Sequence, residues 1–379
     1  MRTRSGSLYR RSGGEVVVVG QKRKRSLGQP AAGECCGGGG RRKRLAGGPD
    51  YLGELPDDLV LVVLSKLAAS ASSPSDFFNV RLVCKRLNGL GRHDAVFAKA
   101  SRASLAVKAA VWSEPAHRFL KRCAAAGNLE ACYILGMIRF YCLGCRSGGA
   151  ALMARAAVGG HAAALYSLAV IQFNASGGEK TDRDLPAGAA LCFRAAMLGH
   201  VDALRELGHC LQDGYGVDPD PAEGRRLLVA ANARELTLAL AAAAKHRPLA
   251  AFPLGGAFGV GGCPLLSDFG WSLPEAEPHP ANQFMVDWWA SRGVQPSSSK
   301  KPVVEALATG DSDGGELRLC SHGRCGRKET RRHEFRRCSV CSAANYCSRA
   351  CQALDWKRAH KAQCVPMRRW LLAGAGVAQ

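Results

Sequence analysis

Nothing in this sequence approaches the roughly twenty consecutive apolar residues that a helix needs to cross a bilayer. Its N-terminal region offers only VVVV (Val16 to Val19), well short of the ~7–15-residue core of a secretory leader. Membrane insertion and export are therefore not expected. The 17 cysteines should then meet a reducing compartment, where close-set thiols bind metal more often than they form disulfides. Aromatic residues are scarce at 7%, against 44 glycines, and with abundant alanine this favours closely packed helices over a β-sandwich. Acidic residues are outnumbered 31 to 52 by Lys and Arg, for a formal charge of +21. A nucleotide-binding loop and a nucleophile–base–acid triad are also missing, so an enzyme is the least expected class.

The positive charge gathers at the two ends of the chain. Residues 1–50 carry KRKR (Lys22 to Arg25) and RRKR (Arg41 to Arg44) among glycine runs without hydrophobic period, which predicts a disordered basic tail. The two clusters read as a nuclear import signal, and a nuclear location is expected, with the cytoplasm as a second site. The same charge could also meet nucleic acid or anionic lipid, or simply be solvated.

Order is expected from YLGELPDDLVLVVLSKLAAS onward. Pro56 suits a first helical turn, Asp57 and Asp58 favour the positive end of its dipole, and Leu59, Val62, Val63 and Leu67 share one face. After SASSPSD, the stretch FFNVRLVCKRLNGL predicts another helix carrying Phe77, Val80, Val83 and Leu87, completing a helical segment over 51–100.

Between about 115 and 245 the chain repeats itself. AGNLEACYILG returns as VGGHAAALYSLA and again as MLGHVDALRELG, with Gly127, Gly160 and Gly199 at matched positions 33 and 39 residues apart. Periods of that size mean stacked helix pairs, here with small alanines allowing close approach. Residues 246–315 form a Pro/Gly/Ser-rich linker whose apolar island, CPLLSDFGWSLPEAEPHPANQFMVDWWASRG, should dock on the repeats because Trp288 and Trp289 would not be left in water.

The C-terminal module, 316–366, holds the most specific pattern, C-x4-C-x12-C-x2-C-x5-C-x3-C-x8-H-x3-C from Cys320 to Cys364, before a short tail at 367–379. Eight thiol and imidazole donors make two closed tetrahedral sets, the stoichiometry of two structural Zn2+ ions with no position open for catalysis. His322 and His333 lie in the same module and are expected outside the ligand sets, although His322 is near enough to Cys320 to substitute for it.

With NYC-SRAC-QALDW between the last cysteine pair and His360, the module resembles the MYND zinc finger. That resemblance implies a cross-brace: Cys320, Cys325, Cys347 and Cys351 on one zinc, and Cys338, Cys341, His360 and Cys364 on the other. The first pair is separated by four residues where the family usually has two. The resemblance also implies a groove for proline-containing peptides at Tyr346, Ser348, Gln352 and Trp356. Trp356 could instead be an apolar plug over the zinc knuckles. Arg336, Arg337, Arg349 and Arg358 would favour acidic flanks on such a peptide, or contact phosphate.

LPDDLVLVVLSKL followed by FFNVRLVCKRLNGL resembles an F-box, in spite of Leu87 where many F-boxes carry tryptophan. The likeness implies that Leu55, Pro56, Leu59, Val63, Leu64 and Leu67, with Val83 and Leu87, contact a Skp-family adaptor of a cullin ubiquitin ligase. A bare helical hairpin could mimic it. LGHCLQDGYGVDPDPAEG (Leu207 to Gly224) resembles a Sel-like repeat, a relative of the tetratricopeptide type. The order of the three modules resembles plant F-box proteins with a C-terminal MYND finger.

The expectation is thus a mostly α-helical, non-catalytic receptor subunit of a Skp–cullin–F-box ligase. Its repeats and finger would bind protein substrates; neither membrane nor nucleic acid is an expected partner. The alternative is a nuclear scaffold or transcriptional co-regulator that acts through the finger without a ligase.

Overall fold

The computed structural model describes residues 51–246, 277–294 and 317–366. The basic clusters before Tyr51, the CPLLSDFG segment and the tail after Pro366 lie outside them. From Glu54 onward the described residues form one compact unit, mostly helical. Among them no helix is long and apolar enough to cross a membrane.

A single turn, α1 (Tyr51–Glu54), precedes α2 (Asp57–Ser70), which starts after Pro56 with two acidic residues in its first turn. The SASSPSD break is a helix cap: the Ser73 hydroxyl accepts from the Asp76 N–H at 3.3 Å and starts α3 (Pro74–Leu82). Two short helices follow, α4 (Lys85–Leu90) and α5 (Asp94–Ala98). Val60, Leu64, Phe77, Leu87 and Phe97 are buried here. The Phe77 ring lies 5.4 Å from Phe119, which continues this core into the repeats. Arg86 fastens the start, donating from Nε to Asp57 at 2.9 Å and from Nη2 to the Leu55 carbonyl.

The repeats are α6 (Glu114–Ala125), α7 (Leu129–Met137, extended by a π turn over Ile138–Cys142), α8 (Arg146–Val158), α9 (Ala162–Asn174), α10 (Leu185–Met197), α11 (Val201–Asp213) and α12 (Pro221–His246). Each packs on the next in chain order. The matched glycines have one physical reason. Gly127, Gly160 and Gly199 sit at φ +91°, +84° and +83°, where a side chain would be strained, and each ends a helix. The residue after each caps the next helix: Asn128 Oδ1, His161 Nδ1 and His200 Nδ1 accept from the N–H three residues on. Glycine followed by a capping Asn or His is thus the hinge that turns one repeat helix into the next.

Helices cross closely at a second glycine pair. A Cβ on Gly149 would lie 2.7 Å from both the Gly136 carbonyl oxygen and the Phe140 nitrogen; Gly208 and Gly224 repeat the arrangement between α11 and α12. Backbone cannot yield as a side-chain tip can. Gly149→Ala should therefore cost about 1–3 kcal/mol. Gly89→Ala, whose Cβ meets nothing within 4 Å, should be neutral or stabilising by up to ~1 kcal/mol. Thermal unfolding of the two variants side by side checks this.

The described part of the island is α13 (Pro280–Ala290), capped by His279 Nδ1. Its Phe284 ring meets Trp112 at 5.1 Å, Met285 and Trp288 are buried, and the helix packs against α7 and its π turn. The C-terminal module has two short antiparallel strands, β1 (Arg336–Arg337) and β2 (Asn345–Tyr346), then α14 (Arg349–Asp355), a π turn over Trp356–His360 and α15 (Lys361–Gln363).

Candidate metal centre and docking faces

The eight donors converge in two groups, Cys320/Cys325/Cys347/Cys351 and Cys338/Cys341/His360/Cys364. Sulfur–sulfur separations are 3.5 Å for Cys325–Cys347, 3.6 Å for Cys347–Cys351 and 3.9 Å for Cys338–Cys364; Cys341 Sγ lies 3.4 Å from His360 Nε2. A tetrahedron with zinc–sulfur bonds of ~2.3 Å has edges of about 3.8 Å. A disulfide would need ~2.05 Å. The donors fit two zinc ions, and the wide first pair joins its site without His322, which is buried outside the ligand set. His333 is exposed, at φ +57°. Burial opposes ionisation of the Cys338 thiol, but backbone N–H groups of Cys341 and Val340, with His360, bring it down to about 6, ready to bind as thiolate.

A residue that spacing could not reveal completes the first site. Arg327 is buried with Nη1 3.6 Å from Cys325 Sγ and 3.8 Å from Cys347 Sγ. Four thiolates around one Zn2+ leave two negative charges, which this guanidinium faces. Its Nη2 also donates to Ser167 Oγ on α9 at 2.9 Å. The site is thereby tied to the repeats.

That tie is one of many. Tyr166 donates its hydroxyl to Ser348 at 3.1 Å, Asn174 donates to the Cys347 carbonyl at 2.7 Å, and Glu206 accepts the Ala350 N–H at 2.8 Å. Arg331 donates to the Asn174 and Ala175 carbonyls, and Arg349 pairs with Asp213 at 3.1 Å while lying over the Tyr215 ring. The module is docked on the stack and does not hang from it.

Docking corrects half of the expected peptide groove. Tyr346 is 0% exposed, its hydroxyl donating to Asp355 at 2.8 Å; Ser348 is 5% exposed, capping α14 through the Cys351 N–H and accepting from Tyr166. Neither side chain can meet a peptide, because the repeats and the module's own helix already use them. Gln352 is half-buried and Trp356 is 38% exposed, its ring 5.7 Å from that of His360.

The expected adaptor set divides as well. Leu64 and Leu87, 4% and 8% exposed, belong to the core between the helices and face no partner. Leu55 is half-buried and Pro56 exposed. Leu59, Val63, Leu67 and Val83 are exposed, joined by Val62, Phe78 and Leu82, which the expected set omits. Seven large apolar side chains are thus exposed within 25 residues.

A cavity of about 890 Å³ opens between the repeats, the start of α13 and the first zinc site, lined in part by Tyr133, Tyr166, His200, Arg205, His279 and Arg327. Burial holds the His200 imidazole down at about 4, stacked on Tyr166 at 4.9 Å. A neutral His200 stabilises the fold fully above its unfolded pKa near 6.5, and this is lost as the pH falls towards 4. At ~1.4 kcal/mol per pH unit that is at most about 3.5 kcal/mol. Urea titrations across that window should show a steeper acid loss for the wild type than for His200→Asn, which keeps a cap acceptor.

A helical-repeat stack clasping a double-zinc finger defines a class of protein-interaction proteins. The plant tetratrico peptide repeat family matches residues 104–195, and the MYND finger family matches residues 320–364. The F-box protein At1g67340 of Arabidopsis thaliana is 58% identical over 335 residues, 87% of this chain and 84% of that one. The F-box protein At5g50450 of the same plant is 53% identical over 328 residues, 86% and 89% of the two chains. This chain belongs to the same family of plant F-box proteins. A crystal structure of a Sel1 repeat protein from Oxalobacter formigenes matches 30% of this chain and 86% of its own, at 24% identity and TM-score 0.28.

Proposed function

We propose that the chain is the substrate-receptor subunit of a Skp–cullin–F-box ubiquitin ligase, without catalytic residues of its own. The observation that carries this reading is the row of exposed apolar side chains on α2, Leu59, Val62, Val63 and Leu67, beside the buried Val60 and Leu64, with Leu82 and Val83 also exposed at the end of α3. An F-box uses such a face to hold its Skp-family adaptor, and the two Arabidopsis relatives are named F-box proteins. Repeats and finger then act as one surface for the protein substrate, because Tyr166, Asn174 and Glu206 hold the finger in place. A proline-containing segment of the substrate would meet Gln352 and Trp356. Ubiquitin transfer falls to enzymes that the cullin recruits, in the nucleus if the basic clusters at Lys22–Arg25 and Arg41–Arg44 act as an import signal.

The reading is tested by isolating the chain from plant cells under conditions that preserve ligase complexes. Adaptor and cullin should co-purify with it in comparable amounts; their absence, with other nuclear proteins present, would favour the co-regulator instead.

A further inference from the structure

Outside the finger, a third group of donors converges. Glu130 near the start of α7, His161 at the cap of α9 and His279 at the cap of α13 bring one carboxylate and two imidazoles within 4.8 Å of one another. His161 Nε2 lies 3.1 Å from Glu130 Oε2, and His279 Nε2 lies 2.6 Å from Glu130 Oε1. The second approach is a short ionic contact in which neither atom completes a well-aligned hydrogen bond. Two such donors on one tetrahedral zinc stand ~3.3 Å apart, so a cation between them would part this pair by roughly 0.7 Å.

We propose that Glu130, His161 and His279 form a third metal site, for a borderline divalent cation of which Zn2+ is the best match. Two imidazoles and a carboxylate suit zinc, and three protein donors leave one coordination position over. His279 and the neighbouring Tyr133 line the 890 Å³ cavity, which places the site behind its wall, with His279 Nε2 and Glu130 Oε1 themselves buried. The site would also pin α13 to the repeats through three separate elements.

The imidazoles and Arg102 hold the Glu130 carboxyl well below its usual range although burial opposes them, so the donor is ionised. Burial keeps His279 towards its neutral form. Arg102 Nε lies 3.3 Å from Glu130 Oε1, but its side chain is mostly exposed and free to turn into water when a cation arrives. Against the site stand two cap bonds, from Ala164 N–H to His161 Nδ1 and from Ala281 N–H to His279 Nδ1, each long at 3.2 Å. A cation on Nε2 moves the ring proton to Nδ1 and gives up both. Three metal–ligand bonds replace them and the two direct Glu130–imidazole contacts.

Zinc content per chain decides the matter. Full-length protein, saturated with Zn2+ and dialysed, is measured by native mass spectrometry and elemental analysis. Three ions are expected for the wild type and two for Glu130→Gln, which keeps the size and hydrogen-bonding capacity of the side chain but not its charge. His279→Gln, on α13, should also hold two and covers the case in which the Glu130 variant fails to fold. Two ions on the wild type, or three retained on a folded variant, would overturn the proposal and leave the cluster a hydrogen-bonded junction.

Discussion

Removing zinc, or replacing Cys347 with serine, is expected to unfold residues 317–366 and to lay bare the side of the repeats on which they dock. The strands of this module are two residues each and its longest α-helix is seven, too little structure to hold itself. Structural zinc supplies on the order of 10–16 kcal/mol per site in model peptides, as much as the whole ~5–15 kcal/mol net stability of an ordinary domain. Cys347 matters twice, since its sulfur is a ligand and its carbonyl accepts from Asn174. Loss of the ion also removes the acceptor of Tyr166 and the Arg331 donor to the Asn174 and Ala175 carbonyls, and Glu206 stays buried without the Ala350 N–H. Each buried polar group so stranded costs about 1–3 kcal/mol. Hydrogen exchange should therefore rise across Cys320–Cys364 and also in α9 and α11. A change confined to the module would contradict the docking described above.

Charges on the apolar face should abolish adaptor binding without unfolding the chain. Leu59 and Val63 are about half exposed on α2, so Leu59→Asp with Val63→Asp should alter stability by only about 0.5 kcal/mol each. At an interface, anchors of this kind carry roughly 2 kcal/mol or more apiece. Losing both weakens binding on the order of a thousandfold, at ~1.4 kcal/mol per tenfold. Leu64→Ala, at the position next to Val63 but buried, should do the opposite: it should cost about 2–5 kcal/mol of stability and leave the partner-facing surface intact. A comparison of the two variants separates a docking face from a core.

Cysteine spacing made the zinc ligands legible, because ligand distance along a short loop is a local property. The repeats were legible for a similar reason: a glycine at φ near +85° must recur wherever the same turn recurs, so Gly127, Gly160 and Gly199 mark the period in the sequence itself. What escaped was contact between distant segments. Tyr346 and Ser348 resemble groove residues in a finger considered alone; only the packed chain shows Tyr166 and Asp355 taking their hydroxyls. Arg327 carries no motif, and its role depends on where Ser167 and Cys347 meet. On α2, helical period identified an apolar helix but could not say which stripe faces inward. Val60 and Leu64 are buried, and Val62 and Val63 are not.

The central claim is tested most directly by mixing the purified chain with a purified Skp-family adaptor and measuring association by calorimetry, next to the Leu59→Asp/Val63→Asp variant. A stable one-to-one complex with the wild type, lost in the variant while its thermal unfolding is unchanged, is the predicted result. No association of the wild type, or equal association of both proteins, would contradict it.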